Sequence, residues 1–247
     1  GWTIENDIMY NYNRYTHRQR FHFKFILVGD YLDKGPQLSE IIRFLYKNKE
    51  HFVFVKGNHE NFVNTYLNGK RGSYESNKDL IEGYFNSIYV LEKVPELKEM
   101  FFKLFENSYD FVFTSKFIVT HSPCKPEYLG KTDKKSISEQ RNFVYPKRRQ
   151  FVSDEEHFAA KCEAFDFLNT EHNFNGYHIF GHVVTKNVFV DKKRIGIDTG
   201  CADGGKLSCV MFLQDKEDYI ISSYPSFKSK FENLNAVLNE ERIQTVE

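Results

Sequence analysis

The sequence predicts an α/β fold with mixed sheets, and three observations favour it. Apolar runs of strand length alternate with helical segments near the start of the chain, which indicates parallel strands joined by helices. Several of those runs end directly at polar residues, where open α/β sheets carry their functional side chains. Short β-like runs separated by turns fill 187–224 and indicate an antiparallel meander. With 247 residues, 40% apolar and 17% aromatic, the chain can bury a substantial core as one domain or as a domain with an insertion.

The first half of the chain divides into strands and helices by its hydrophobic spacing. Pro36 suits the first turn of a helix, because that position does not use the N–H that proline lacks. The predicted elements in order are a helix over 2–16, a strand over 21–28, a helix from Pro36 to about Lys49, a strand over 51–55 and a helix from about Glu60 to Leu67. Residues 70–108 open with a polar stretch and continue with helical segments near 78–91 and 95–107. They predict a helical insertion or cap on the core.

The second half contains closely spaced strands, a long basic segment and a final helix. The segment from Pro123 to Phe151 is too long for an ordinary loop, and loops of that length are usually functional or mobile. The predicted elements in order are a hairpin of strands over 110–114 and 116–120, a helix near 154–169, a strand over 177–181 and a helix in the tail from Phe227. We therefore predict a main domain over 1–225 and a C-terminal helical tail over 226–247.

Charge and cysteine content exclude several classes of protein. Lys and Arg together number 34, as do Asp and Glu, so no overall field favours nucleic acid or a membrane as partner. The four cysteines lack CxxC spacing and a paired framework, and no segment approaches the apolar length of a membrane span. These features predict a cytoplasmic protein with reduced thiols, no membrane association and no stable nucleic-acid partner.

The segment 131–149 departs from this balance of charge. It carries seven basic residues against two acidic ones, Asp133 and Glu139. The basic residues are Lys131, Lys134, Lys135, Arg141, Lys147, Arg148 and Arg149. Such a run is either a solvated loop or a surface that faces an anionic substrate, and the two interpretations carry similar weight.

Four short segments, each at the end of an apolar strand, offer ligands for a divalent metal. They are GDYLDKG at 29–35, KGNHE at 56–60, THS at 120–122 and GH at 181–182. They supply Asp30, Asn58, His121 and His182, a mixed oxygen and nitrogen set that suits a divalent transition metal. His59 adjoins Asn58 and is left to carry a proton. Any one segment alone is more typical of a turn, a helix cap or a hydrogen-bonded core histidine.

The order and wording of these segments resemble the phosphoprotein-phosphatase branch of the calcineurin-like metallophosphoesterases. That branch includes phage-lambda-type protein phosphatases, diadenosine tetraphosphatases and the phosphatase module of bacterial RNA-repair kinase–phosphatases. IDTGCADGGKLSCV at 197–210 resembles the strand and hairpin that follow the last histidine of the branch, and the resemblance covers about residues 1–215. It implies a four-layer α-β-β-α sandwich, with the helical segments of 70–108 as an insertion.

The resemblance also implies a metal centre and roles for its residues. The implied centre holds two divalent ions, with Mn²⁺ preferred and an iron/zinc pair as the alternative, and it activates a water for attack at phosphorus. The implied ligands are Asp30, as a bridge between the ions, and Asn58, His121 and His182. His59 is implied to act as the general acid, and Asp33 to hold the turn or to orient a histidine.

Cations from two segments are implied to meet the substrate phosphate. Lys34 stands where the family usually carries Arg, and Lys binds phosphate as a point charge where Arg can form two parallel hydrogen bonds. A later Arg of the family corresponds to Arg148 or Arg149. Glu60 and Asp198 are predicted to be structural, Glu60 because a carboxylate suits the first turn of a helix.

The start of the chain departs from the family pattern. The family opens with Asp-x-His-Gly before its second motif, and Gly1 stands at the right distance from Asp30 to be that glycine. This predicts a fragment cut after Asp-x-His, against the alternative of a natural terminus or an expression remnant. Such a fragment would lack two ligands of one ion and would be weakly active or inactive.

The leading functional hypothesis is a metal-dependent phosphomonoesterase of the serine/threonine-protein-phosphatase type. The alternative is a nucleotide or RNA-end phosphatase, since aromatic residues lie among the cations up to residue 151 and can stack on bases. A second alternative is a non-catalytic binding scaffold. The absent first motif and Lys34 favour the scaffold, whereas the intact Asn58–His59 pair favours an enzyme.

Overall fold

The structure, a computed structural model, describes residues 24–35, 37–69, 85–125, 129, 174–212 and 219–226. The chain divides into two compact units, residues 1–109 and 110–247. Among the described residues, no helix has the length and apolar content needed to cross a membrane. Several predicted features lie outside them: the helices over 2–16 and 154–169, Pro36, the basic segment 131–149 and the tail from Phe227. The predicted boundary at residue 225 stays a prediction.

The first unit combines two short parallel strands with helices. Its described elements are β1 (Phe25–Leu27), α1 (Leu38–Lys47), β2 (Phe52–Phe54), α2 (Asn58–Leu67), α3 (Phe85–Lys93) and α4 (Pro95–Glu106). β1 lies parallel to β2 with Phe25 opposite Phe52, as the strand–helix–strand pattern predicts. α2 starts at Asn58 and not at about Glu60, because Glu60 caps the helix from its third position by accepting the N–H of Gly57 at 2.9 Å.

The described helices of the first unit share one core. Ile42 of α1, Val63 of α2, Leu91 of α3 and Phe101 of α4 are fully buried in a single apolar cluster. α3 and α4 occupy the segment predicted as an insertion or cap, and they belong to the core of this unit. The sequence does not reveal this, because an amphipathic helix has the same pattern on a cap as on a core.

The second unit contains a five-stranded mixed sheet and a three-stranded antiparallel sheet within the described residues, which confirms the mixed α/β class. The five-stranded sheet has the order β3–β4–β5–β7–β6, with β3 (Phe111–Phe113), β4 (Phe117–Thr120), β5 (Tyr177–Phe180), β6 (Phe189–Asp191) and β7 (Arg194–Gly196). The other sheet has the order β10–β9–β8, with β8 (Asp198–Thr199), β9 (Lys206–Phe212) and β10 (Tyr219–Pro225). β3 and β4 form the predicted hairpin, whereas β4, β5 and β7 run parallel.

The predicted meander over 187–224 is divided between the two sheets. β6 and β7 form an antiparallel hairpin, but β7 also pairs in parallel with β5 and so joins the mixed sheet. Arg194, Ile195 and Gly196 are all buried, as expected for a strand with neighbours on both sides. β8, β9 and β10 form the antiparallel sheet. A three-residue strand is too short for its side-chain pattern to reveal a second neighbour.

An aromatic cluster joins the two sheets of the second unit. The ring centroid of Phe212 on β9 lies 5.4 Å from those of Phe117 on β4 and Tyr177 on β5, and Tyr219 on β10 lies 5.2 Å from Tyr177. Aromatic pairs at these distances contribute beyond the area they bury. The cluster therefore holds the β9–β10 hairpin against the sheet that carries His121 and His182.

Replacing Phe101 with alanine tests the shared core of the first unit. Phe101 is 0% exposed, so its loss leaves a cavity, and we expect the free energy of unfolding to fall by about 3–5 kcal/mol. Tyr89→Ala is the control, because Tyr89 on α3 is 51% exposed and its loss should change that free energy by about 0.5 kcal/mol. Denaturant titration followed by circular dichroism measures both. Similar small losses for the two variants would show that α4 is not part of the core.

Candidate active site

Two loops of the first unit meet where β1 and β2 end, because those strands are parallel neighbours. Asp30 lies in the loop after β1, while Asn58 and His59 open α2 after β2. The backbone N–H of His59 donates to Asp30 Oδ1 at 3.1 Å, and the N–H of Asp30 donates to Glu60 Oε2 at 2.8 Å. Asn58 is half-buried beside them in the chain. The loop that carries Asp30 and the start of α2 therefore hold each other in place.

Glu60 is a fully buried carboxylate that joins these two loops. It accepts backbone N–H groups from Asp30 at 2.8 Å, Leu32 at 3.2 Å and Gly57 at 2.9 Å. Hydrogen bonds to an ionised acceptor are strong enough to offset much of the cost of its burial. Burial raises the pKa of Tyr31 well above its ordinary value, and the charge of Glu60 raises it further. These contacts agree with the structural role predicted for Glu60.

Gly57 allows the two loops to approach this closely. A Cβ at position 57 would overlap the backbone N and Oδ1 of Asp30, and it would lie 2.6 Å from Glu60 Oε2. The φ of −91° at Gly57 is open to any residue, so the requirement is for space and not for a special backbone conformation. The glycine of the KGNHE segment is needed because two carboxylates lie against its backbone.

His59 and Asp33 form a largely buried pair next to Asp30. His59 Nδ1 donates to Asp33 Oδ2 at 2.6 Å, and the Asp33 side chain is 1% exposed. Burial lowers the pKa of His59, but the hydrogen bond to Asp33 and the charges of Asp30, Asp33 and Glu60 outweigh it, so the pKa is raised. His59 Nε2 lies 3.8 Å from Asp30 Oδ2. The pair fixes the tautomer of the imidazole and leaves Nε2 as the nitrogen that can transfer a proton.

Ser87 holds Asp33 from the other side, and sequence reasoning missed it. The N–H of Asp33 donates to Ser87 Oγ at 3.0 Å, and Ser87 is fully buried on α3. The helical segment predicted as an insertion therefore supports the residue that orients His59. The available signal was a small polar residue within an otherwise apolar helix, which is too common to be diagnostic.

Three of the predicted functional residues have left-handed backbone conformations. Asp30, Asp33 and His182 have φ angles of 54°, 74° and 66°. Such angles are uncommon for residues other than glycine and cost of order 1–3 kcal/mol each. Lys192 and Lys193 share the conformation, but they form the turn of the β6–β7 hairpin, where it is expected. Strain that hydrogen bonds hold in place outside such turns is typical of functional sites.

His121 and His182 of the second unit present ring nitrogens to each other. His121 follows β4 directly and His182 lies just beyond β5, and these strands are parallel neighbours. His121 Nε2 lies 3.1 Å from His182 Nδ1, with the ring planes inclined at 66°. Two nitrogens that bind one ion at about 2.0–2.1 Å lie roughly 3 Å apart. The pair therefore fits two ligands of one divalent metal ion.

Hydrogen bonds beneath this pair fix the edge of the sheet. The N–H of Gly181 donates to the carbonyl of His121 at 2.8 Å and so joins the two strand ends. The Thr120 hydroxyl donates to the carbonyl of Ser122 at 2.5 Å and lies 2.8 Å from Nε2 of the fully buried His178. His178 is thus an internal support of the loop that carries His121.

The remaining predicted residues are placed less directly. Lys34 is exposed beside Asp33, while Arg148 and Arg149 lie outside the described residues. Asp198 accepts the N–H of Gly200 through Oδ1 at 3.1 Å, which agrees with its predicted structural role.

Comparison with known proteins adds a family match to this geometry. The family model of the calcineurin-like phosphoesterases matches residues 9–193. A bis(5'-nucleosyl)-tetraphosphatase PrpE (asymmetrical) of Bacillus cereus is 27% identical over 218 residues, which cover 84% of this chain and 83% of that protein. The protein of the same name from Oceanobacillus iheyensis is 25% identical over 244 residues and covers 97% of this chain and 90% of its own length.

A solved structure shows the same fold. The crystal structure of a candidate diadenosine tetraphosphatase matches with a TM-score of 0.55 and 17% sequence identity, covering 89% of this chain and 87% of its own. The metallophosphoesterase fold that the sequence motifs imply is therefore confirmed.

Replacing Gly57 with alanine tests the close approach of the two loops. The added Cβ must displace Asp30 or Glu60, and we expect the free energy of unfolding to fall by about 1–3 kcal/mol or more. Gly35→Ala is the matched control, because a Cβ at position 35 meets no atom within 4 Å. Thermal and denaturant unfolding of both variants measure the difference. Equal stability of the two would mean that the loops separate at little cost.

Replacing Ser87 with alanine tests the support of Asp33. The change leaves the buried N–H of Asp33 without its acceptor, and we expect a loss of about 1–3 kcal/mol in the free energy of unfolding. The proton resonance of His59 Nδ1 should also shift, because Asp33 sets the length of its hydrogen bond. Ser39→Ala on α1 is the control and should leave that resonance unchanged. An unchanged resonance in Ser87→Ala would contradict a positioning role.

Proposed function

This chain belongs to the calcineurin-like phosphoesterase family, and we propose that it hydrolyses the phosphate bridge of dinucleoside polyphosphates with the aid of divalent metal ions. The family and the related tetraphosphatases make it a phosphoric ester hydrolase. Those relatives are named as bis(5'-nucleosyl)-tetraphosphatases, and the match covers 83% and 90% of their own lengths. This supports a nucleotide substrate. They favour this alternative over the serine/threonine-protein-phosphatase hypothesis, to which the sequence alone gave first place.

The Asp33–His59 pair is the observation that carries the proposal. A histidine whose Nδ1 is held at 2.6 Å by a buried carboxylate has a defined ring orientation, with Nε2 left to carry the proton that is transferred. A binding scaffold has no use for such a pair. Its presence beside Asp30 and Asn58 supports an enzyme that protonates a leaving group.

Asp30, Asn58, His121 and His182 are the metal ligands of this proposal. The 3.1 Å spacing of the two imidazole nitrogens and the mixed oxygen and nitrogen donors support a divalent transition ion, for which we propose Mn²⁺. When bound, such ions supply positive charge to the phosphoryl group and activate a water. Glu60 supports the ligand function of Asp30 by holding its backbone in the strained conformation.

In this proposal, His59 and Asp33 transfer the proton that the leaving group needs. Water attacks one phosphorus, a bridging P–O bond breaks, and the leaving nucleotide departs on the bridging oxygen. His59 Nε2 donates a proton to that oxygen, and Asp33 stabilises the charged imidazole before transfer. The attacking water releases a proton to solvent and His59 takes one back from solvent, so protons and charge balance over one turnover.

Cations near the substrate complete the proposal. Lys34 is exposed in the loop that also carries Asp30 and Asp33, so its ammonium group is suited to a phosphate oxygen. Arg148 and Arg149 are proposed as further phosphate contacts on the resemblance alone.

Histidine variants of the complete gene product separate the acid from the ligands. His59→Ala should retain its metal and lose roughly 10²–10⁴ in rate on a dinucleoside tetraphosphate, the usual worth of a positioned acid. His182→Ala should lose both rate and metal, because a ligand is removed. His51→Ala is the control, since His51 is exposed and lies between α1 and β2, outside both clusters. Metal analysis after gel filtration and steady-state kinetics provide the measurements.

Two outcomes would contradict these assignments. Loss of metal from His59→Ala would identify His59 as a ligand and not the acid. A higher kcat/KM on a phosphopeptide or on 3'-phosphorylated RNA than on a dinucleoside tetraphosphate would remove the nucleotide assignment.

A further inference from the structure

A cleft of about 400 Å³ opens in the second unit beside the loop that carries His182. One wall is formed by Lys186 and Asn187, which follow that histidine, and the other by Lys206, the first residue of β9. Val184 and two glycines of the β8–β9 loop, Gly200 and Gly205, line the floor. Clefts that bind small molecules usually measure about 300–1,000 Å³. The proton chemistry and the metal ligands described above use none of these residues.

Glycines at the floor of this cleft leave its space open, because they carry no side chains. Gly200 has a φ of 71°, and its carbonyl accepts the N–H groups of Asp203 at 2.9 Å and Gly205 at 2.8 Å, which closes a compact loop. A Cβ at Gly205 would overlap the carbonyl of Thr199 and lie 2.9 Å from that of Gly200. A Cβ at Gly200 would lie 3.1 Å from Val184 Cγ1. The floor is therefore peptide backbone covered by one apolar side chain.

Two hydrogen bonds anchor the cleft on Asp198, and the chain connects one wall to the candidate metal ligand His182. The Asp198 carbonyl accepts the N–H of Thr185 at 2.9 Å, and its Oδ1 accepts the N–H of Gly200 at 3.1 Å, so one wall and the floor are anchored on one residue. Val184 is two residues from His182, which places their Cα atoms within about 7.6 Å of each other. A ligand in the cleft therefore lies next to the group that binds at His182.

The cleft walls offer an apolar surface and two positive charges. Val184 is 52% exposed, although burial would be favourable for a side chain of its type. Lys186 and Lys206 are exposed on opposite walls, against a single lining carboxylate, Asp203. An exposed valine beside glycine backbone suits a nucleobase or ribose, and ammonium groups on both sides suit the phosphates attached to it.

We propose that this cleft binds the second nucleotide of a dinucleoside polyphosphate, the one whose phosphate chain extends away from the reacting phosphorus. The inference rests on the proposed function and adds to it the place of the distal nucleoside. Lys186 and Lys206 contact the phosphates of that nucleotide, while Val184 and the glycine backbone contact its nucleoside.

Removing both charges tests this assignment. In the complete gene product, Lys186→Ala combined with Lys206→Ala should raise KM for a dinucleoside tetraphosphate about ten-fold, with kcat unchanged, as for loss of binding shared by ground state and transition state. Val184→Glu should do the same by placing a carboxylate on the floor. KM and kcat for a small aryl phosphate, which cannot reach the cleft, should stay at the wild-type values in both variants.

A double variant outside the cleft serves as the control. Lys116→Ala with Lys192→Asn removes two exposed charges from the β3–β4 and β6–β7 turns of the same unit, and it should leave KM for both substrates unchanged. Asparagine is chosen because the φ of 44° at Lys192 lies in the left-handed region, which asparagine tolerates. Unfolding temperatures show whether each variant is folded.

The failure of this inference is distinguishable from that of the proposed function. Wild-type protein that hydrolyses the aryl phosphate but not the dinucleoside tetraphosphate overturns the proposed function and this inference with it. Wild-type turnover of the dinucleotide, combined with an unchanged KM in the cleft variants, overturns this inference alone. Equal losses on both substrates also overturn it, because the lysines would then serve the reacting phosphate or the fold.

Discussion

The buried carboxylate of Glu60 is the interaction on which the loops around Asp30 and Asn58 depend. Its two oxygens take backbone N–H groups from both sides of the junction, from Asp30 and Leu32 after β1 and from Gly57 before α2. A buried carboxylate without such partners would cost several kcal/mol, so the two loops and the carboxylate stabilise one another. One side chain thus joins the loop that carries Asp30 to Gly57, the residue before Asn58.

The strain at Asp30 and Asp33 follows from the same constraint. Left-handed backbone is unfavourable for aspartate by itself, yet both N–H groups have acceptors that hold them there, Glu60 for Asp30 and Ser87 for Asp33. The consequence is chemical, because Asp33 then meets His59 Nδ1 at 2.6 Å and leaves Nε2 as the nitrogen that can transfer a proton. The fully buried helix residue Ser87 thus connects the packing of α3 to the protonation of His59.

In the second unit, strands position the two histidines. Adjacent parallel strands bring His121 and His182 to one edge, and the hydrogen bond from Gly181 to the His121 carbonyl sets their spacing. The same loop continues past His182 into the cleft whose floor is glycine backbone. Metal binding and binding of the distal nucleotide are therefore proposed for neighbouring parts of one loop. On this proposal, the sequence of that loop influences which substrate is preferred.

The amino-acid sequence alone determined the fold class, the parallel pairing of β1 with β2, the β3–β4 hairpin and the motifs that identify the family. These follow from patterns within a few residues, such as hydrophobic spacing, Gly-Asp and Gly-Asn-His-Glu turns, and strand-end histidines.

The position of β7 between β5 and β6 could not be predicted, because its three residues carry no pattern that indicates a second neighbouring strand. Ser87 was missed for a related reason: its partner Asp33 is 54 residues away, and a hydrogen bond over that distance leaves no local signal. Only the tertiary structure decided that Glu60 has three backbone donors and that α3 and α4 belong to the core, since both depend on which distant segments pack together.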